Sequence, residues 1–168
     1  EDYVERLDTV VFQEKLGTTR AKTDRIVALA KAIAADAGVT GQEAADAERA
    51  AYLAKADLVT GAVVEFTSVQ GIMGSYYAKA AGETDAVARA IADHYRPRFS
   101  GDDVPAERVG CIVAIADKLD TICGLFAIGQ GPTGSSDPFA LRRSALGIVT
   151  MLLSDKGLDI SLGAAIDV

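Results

Sequence analysis

The sequence predicts an all-α domain of about six to eight helices, and three observations carry that expectation. Apolar residues make up 49% of the 168 positions and aromatics only 6%, with alanine and leucine frequent, a mix that favours packed helices over a sheet sandwich. Apolar side chains recur at helical spacing along several long segments. No stretch shows the strict apolar–polar alternation of a half-buried strand. At this length, residues 1–168 are expected to form a single domain with its own core.

The elements follow in order. In TTRAKTDRIVALAKAIAADAG, Ile26, Leu29, Ala30 and Ile33 lie on one helical face, and Gly38 ends the run. The segment TGQEAADAERAAYLAKADLVT predicts a second helix, with Thr40 as cap and Glu43 three residues on in a capping-box pattern. Thr60-Gly61 permits a break, after which a third helix is expected from about Val63 to Ala81. ETDAVARAIADHY predicts a shorter fourth, and RPRFSGDDVP reads as a loop because of its two prolines, glycine and paired aspartates. The fifth helix, about Ala106 to Ile128, carries a stripe of Ile112, Ile115, Ala116, Leu119, Ile122, Cys123 and Phe126 that must be buried against neighbours. After the connector GQGPTGSS, Asp137-Pro138 predicts an N-cap and first turn of a sixth helix running to about Asp155, with Gly157 ending it. LDISLGAAID is read as the start of a further helix.

The net charge of −7 argues against a free-standing nucleic-acid binder, which needs a basic face to neutralise phosphates, but leaves room for a local basic patch. Cys111 and Cys123 are expected on one helix, roughly 18 Å apart, too far to bridge. They read as buried thiols of a cytosolic protein. No apolar run approaches the ~20 residues of a membrane span. The chain begins at Glu1 without a methionine, and the expectation is a piece of a longer subunit.

The stretch YLAKADLVTGAVVEFTSVQGIMGSYYA poses the functional question, because Lys55, Asp57, Glu65 and Gln70 interrupt an apolar run at irregular intervals. A structural zinc site would need four Cys or His ligands, and the chain has three such residues, dispersed. His94, the single histidine, is expected to have a structural or surface role at a helix end, where a cation complements the dipole. One histidine is thin support for nucleophilic catalysis, and no GxSxG elbow is present. GQGPTGSS echoes a phosphate loop, but Ser135 stands where lysine is required and a helix precedes it instead of a strand, so it reads as a connector. Arg142 and Arg143, and likewise Arg96 and Arg98, admit two readings: solvated surface, or contacts to phosphate or a partner carboxylate.

Five segments, VFQEKLGTTRAKTDRI, KADLVTGAVVEFTSVQGIMGSYYA, HYRPRFSGDDVP, IADKLDTICGLFAIG and PTGSSDPFALRRSALGI, together resemble the beta subunit of bacterial heterotetrameric glycyl-tRNA synthetases, in order from about residue 10 to 150. The resemblance implies an internal HD-type helical domain of a much longer subunit, hence an HD-domain-like bundle. HD-type phosphohydrolases hold a divalent metal with the pattern His … His-Asp … Asp. By that resemblance LAKADLVTG puts Asp57 at the dyad aspartate and Ala56 at its histidine, and IADKLD puts Asp117 at the last ligand. The first histidine would fall near Thr23 or Asp24, where none stands, so the metal motif reads as degenerate and no metal is expected. On a helical wheel Asp117 lies nearly opposite the stripe, facing either a polar cleft or water. If Asp57 and Asp117 converge, they need a cation such as Lys55 or a raised pKa.

The resemblance further implies a cytoplasmic, ATP-dependent glycine–tRNA ligase in which this domain is non-catalytic and supports tRNA placement. The alpha subunit of the heterotetramer and the tRNA for glycine would be the partners. ATP with magnesium would serve the whole enzyme, with no cofactor in this domain. Arg96, Arg98, Arg142 and Arg143 are the candidate RNA contacts. The rivals are a metal-dependent HD-type phosphohydrolase, disfavoured by the single histidine, and a purely structural spacer.

Overall fold

The computed structural model describes residues 2–154, 158–161 and 163. The sixth helix's expected end at Asp155 and Gly157, and half of the tail LDISLGAAID, lie outside the described residues, although Leu158 is buried. Among the described residues the elements are α1 (Asp2–Glu5), a short ribbon of β1 (Val11–Gln13) and β2 (Gly17–Thr18), α2 (Thr19–Asp36), α3 (Gly41–Leu53), α4 (Gly61–Glu65), α5 (Ile72–Ala80), α6 (Asp85–Asp93), α7 (Arg108–Ala127) and α8 (Leu141–Leu153). The fold is therefore an all-α bundle, as predicted, with one antiparallel ribbon too short for alternation to reveal.

The long apolar helix α7 forms the centre, and α2, α3, α6 and α8 pack around it. Its residues from Val109 to Ala116 are all buried, so its first half is apolar on every side and enclosed by neighbours. Ile26, Ala30 and Ile33 of α2, Ala47, Ala50 and Ala51 of α3, and Val87 and Ile91 of α6 meet it there. Alanine dominates the α3 contact, which permits close axial approach. A second small cluster of Val4, Leu7 and Val59 lies beneath the N-terminal segment.

Several expectations change. Gly38 does end α2, at φ 65°, and Thr18 caps its start by accepting from the Ala21 N–H. Thr40 is the N-cap of α3 but makes no side-chain capping bond, so the capping box is not formed. The second helix stops at Leu53 and yields to a 3-10 turn over Ala56–Val59. The long third helix is broken between Glu65 and Ile72, with a 3-10 turn at Thr67–Val69 and Gly71 at φ 78°. Asp137 does act as a cap acceptor, taking the N–H groups of Leu141 and Arg142 at 2.8 and 3.0 Å, but α8 begins at Leu141, so Pro138 is not its first residue. At the far end of α7 the stripe fails, since Cys123 and Phe126 are exposed and Leu125 is buried in their place. Of the two thiols only Cys111 is buried.

Candidate functional site

The polar residues of the central stretch divide sharply. Glu65 is exposed and Gln70 partly so, while Lys55 and Asp57 are 5% and 2% exposed. Ionisable groups rarely lie that deep unless their charge is matched, and the structure provides matches for both.

Asp57 stands in the 3-10 turn before α4, and its Oδ2 accepts the backbone N–H groups of Gly71 and Gly74 at 2.6 and 2.9 Å. These are amides at the start of α5, where the first turn of any helix has N–H groups without intrahelical partners. Gly71, the residue at the cap position, has no side chain to supply an acceptor, so Asp57 caps α5 from a distance. A β-carbon at Gly74 would lie 3.0 Å from Asp57 Oδ2 and 2.8 Å from Ile91 Cγ2, so the small residue permits the approach. The other oxygen, Oδ1, is buried without a hydrogen-bond partner among the described residues. Burial consequently pushes the carboxyl above its usual range, although the two amides and Lys55 pull the other way.

Lys55 Nζ lies 2.8 Å from His94 Nε2 and 2.8 Å from Asp117 Oδ2, and 4.2 Å above the centre of the Tyr95 ring. Its three protons thus have an imidazole nitrogen, a carboxylate and an aromatic face to meet. His94, completely buried at the end of α6, has Nδ1 2.7 Å from the Ile91 carbonyl oxygen. A carbonyl can only accept and an ammonium can only donate, so Nδ1 carries the proton and Nε2 is the acceptor. The ring is neutral, with its pKa well below the ordinary value through burial and then the Lys55 charge. The helix-end position does not make it a cation.

A second ammonium reaches the same carboxylate. Lys22 Nζ is 3.0 Å from Asp117 Oδ1, as a charge contact without hydrogen-bond geometry, and donates to Asp120 Oδ2 at 2.8 Å and Thr121 Oγ1 at 2.8 Å. Arg25 also binds Asp120. Burial pushes Asp117 upward, but Lys22 and Lys55 more than offset it and hold the carboxyl well below its usual range. Asp117 therefore faces a polar inter-helix centre, one of the two environments its wheel position allowed. Ala56, by contrast, packs against the small apolar cluster of Val4, Leu7 and Val59.

Could this donor set hold a divalent cation? Among the described residues no three His, Cys, Asp or Glu side chains gather as a ligand group. Both Asp117 oxygens face ammonium groups, and the Nε2 lone pair of His94 is already taken by Lys55. A divalent cation would have to displace two buried lysines from Asp117, so the residues do not fit one.

Lys118, next on α7, donates to the carbonyls of His94 and Arg96 at 3.3 and 2.8 Å and is lowered to about 8, chiefly by burial. Its unfolded counterpart titrates near 10.5, so between about pH 8 and 10.5 the unfolded chain binds more protons and stability rises with pH. Thermal melts of wild type and Lys118→Met across that window are expected to show the wild type gaining relative stability as pH rises; parallel curves would contradict this.

Above this centre opens a cleft of about 510 Å3, bounded by the Ser68–Gln70 turn, Tyr95, Arg98 and the start of α8. The four arginines separate here. Arg96 lies 3.5 Å from Asp93 and 4.0 Å from Asp103, and Arg142 donates to the Thr133 carbonyl at 2.6 Å. Arg98 and Arg143 are exposed, both line the cleft, and neither guanidinium forms an ion pair among the described residues.

Lys22, Tyr95 and Lys118 were not picked out from the sequence. Lys22 had a readable signal: it stands on the same helical stripe as Ile26, Ala30 and Ile33, at a core-facing position where a lysine must find a partner. Lys118 likewise follows Cys111, Ala114 and Ile115 at spacings of seven, four and three.

A family model described as the glycyl-tRNA synthetase beta subunit matches residues 1–168. The chain is 54% identical over 150 residues to a glycine–tRNA ligase beta subunit of Shewanella baltica (strain OS155 / ATCC BAA-1091), covering 89% of the chain and 21% of that relative. It is 52% identical over 162 residues to the protein of the same name from Salmonella schwarzengrund (strain CVM19633), covering 96% of the chain and 23% of that relative. It thus spans about a fifth of the length of these relatives. With a model matched along its whole length and relatives at such identity, the chain belongs to the glycyl-tRNA synthetase beta subunit family.

Proposed function

We propose that this chain is a helical, HD-like domain of a longer beta subunit, and that it helps place the tRNA for glycine in a cytoplasmic, ATP- and magnesium-dependent glycine–tRNA ligase without catalysing a step itself. The alpha subunit of the heterotetramer is the protein partner in this reading. Family membership supports the link to tRNA charging. The observation that carries the non-catalytic role is the pair of lysines on Asp117. In an HD-type phosphohydrolase a metal would hold the positions of Asp57 and Asp117. Here fixed ammonium ions meet Asp117, Asp57 caps a helix, and Ala56 supplies no donor atom. The charges neutralise one another, and the centre holds the helices together where a metal would have bound a substrate.

Arg98 and Arg143 support the tRNA contact, because two unpaired guanidinium groups at one cleft can meet phosphate even on a chain of net charge −7. Arg96 and Arg142 have intramolecular partners and are the weaker candidates. Replacing Arg98 and Arg143 by alanine in the assembled enzyme is expected to weaken tRNA binding and to flatten its dependence on log salt by roughly one unit per lost phosphate contact. Unchanged affinity and slope would remove the RNA role and leave a structural spacer.

A further inference from the structure

Arg143 lies between two hollows. Pro97 and Arg143 line both the 510 Å3 cleft and a neighbouring one of about 280 Å3. Each hollow carries a phenylalanine left in the open, Phe139 (42% exposed) in the first and Phe99 (61% exposed) in the second. Exposed phenylalanines cost hydration free energy unless something covers them. In the first hollow the side chains of Ser68, Gln70 and Ser144 make no hydrogen bond within the described protein, so donors and acceptors are free beside the ring. The one carboxylate of the second hollow, Asp102, is occupied by the backbone N–H groups of Arg98 and Asp103.

An aromatic face, free amide and hydroxyl groups and an unpaired guanidinium are what an unstacked nucleoside phosphate requires: stacking for the base, hydrogen bonds for its edge, charge for its phosphate. A duplex offers no free base faces and could not use the rings. The geometry points to a single-stranded RNA segment laid across α8 and the Pro97–Asp102 loop, with Arg143 on a phosphate between successive nucleotides whose bases stack on Phe139 and Phe99. This inference rests on the tRNA-placing role above and adds to it which part of the RNA is held, an unpaired stretch and not a helix. The same chemistry could be met by a free nucleotide, and the test separates the two.

The assembled enzyme is titrated with the tRNA for glycine at two salt concentrations, in the wild type and in Phe139→Ala, Phe99→Ala and Phe139→Trp. The expected result is about tenfold weaker binding for each alanine variant, the range of one lost stacking contact, with an unchanged salt slope and near-wild-type affinity for Phe139→Trp. A single-stranded oligoribonucleotide should compete with the tRNA better than a duplex of equal length. If Arg98→Ala and Arg143→Ala weaken binding while both phenylalanine variants leave it unchanged, this inference falls and the tRNA role stands. If neither class matters, both fall. If adenosine monophosphate binds the wild type, fails to bind Phe139→Ala, and tRNA affinity is unaffected, the hollow serves a free nucleotide and the RNA assignment is overturned. Both rings and both arginines are at the surface, so these variants leave the core intact.

Discussion

Replacing Lys55 by methionine is expected to destabilise the fold by about 3 kcal/mol, the lower end of the cost of breaking a buried ion pair. The loss has two parts. Asp117 Oδ2 loses its 2.8 Å partner in a place water reaches poorly, and His94 Nε2 loses its donor from Lys55. Lys22 remains on the other oxygen, which keeps the penalty below the maximum. For a domain of this size that corresponds to a melting temperature lower by about 6–12 °C. The companion variant Lys55→Met/Asp117→Asn should recover part of the loss, because it removes the stranded charge as well. Denaturant midpoints for the two proteins decide the matter: no recovery in the double variant would show that Lys55 acts through packing alone. Acid provides a second check. Asp117 titrates well below its unfolded value, so its contribution is fully present above the unfolded pKa and is lost as pH falls through the folded one. In Asp117→Asn that portion of the acid destabilisation should be missing.

Asp57→Ala is expected to cost about 2–4 kcal/mol, since the amides of Gly71 and Gly74 would lose their acceptor inside the protein. Asp57→Asn should cost less than Asp57→Ala, because an amide oxygen can still accept both bonds, although its NH2 then takes the buried place of Oδ1, which has no hydrogen-bond partner among the described residues. Equal losses for the two variants would rule out the capping role. The pH dependence runs opposite to that of Asp117. The folded-state pKa of Asp57 is raised, so the native state holds more protons above the unfolded pKa of 3.8, and this group's contribution declines as pH rises through the folded value. Wild type measured against Asp57→Asn should therefore gain relative stability in acid. Hydrogen exchange at Gly71 and Gly74 in Asp57→Ala offers an independent readout, with faster exchange expected at the start of α5.

The two aspartates that one sequence pattern joined thus have different duties. Asp57 organises a helix terminus, whereas Asp117 balances two lysines between α2, α7 and the Lys55 turn. The site owes its form to contacts over long sequence separations, which local patterns do not carry. Asp57 meets amides 14 and 17 residues on, and Lys22 meets Asp120 across 98.

Local rules were enough for the helical class, the face of α2 formed by Ile26, Ala30 and Ile33, the end of α2 at Gly38, and the acceptor role of Asp137, since each depends on residues within a turn or two. The far end of α7 was not readable in that way: periodicity says which residues share a face, not whether a neighbour reaches it, and Cys123 and Phe126 have none deep enough to bury them. The break in the third helix was hidden for the same kind of reason, because the acceptor that lets a new helix start after Gly71 comes from outside the segment. Composition and periodicity determined that this chain folds as an α-helical bundle, and its particular segments determined its family. Which charges pair, which arginines stay free and which aromatic rings face outward were decided only when the helices packed, since the free energy of an ionisable group is set by what surrounds it in space.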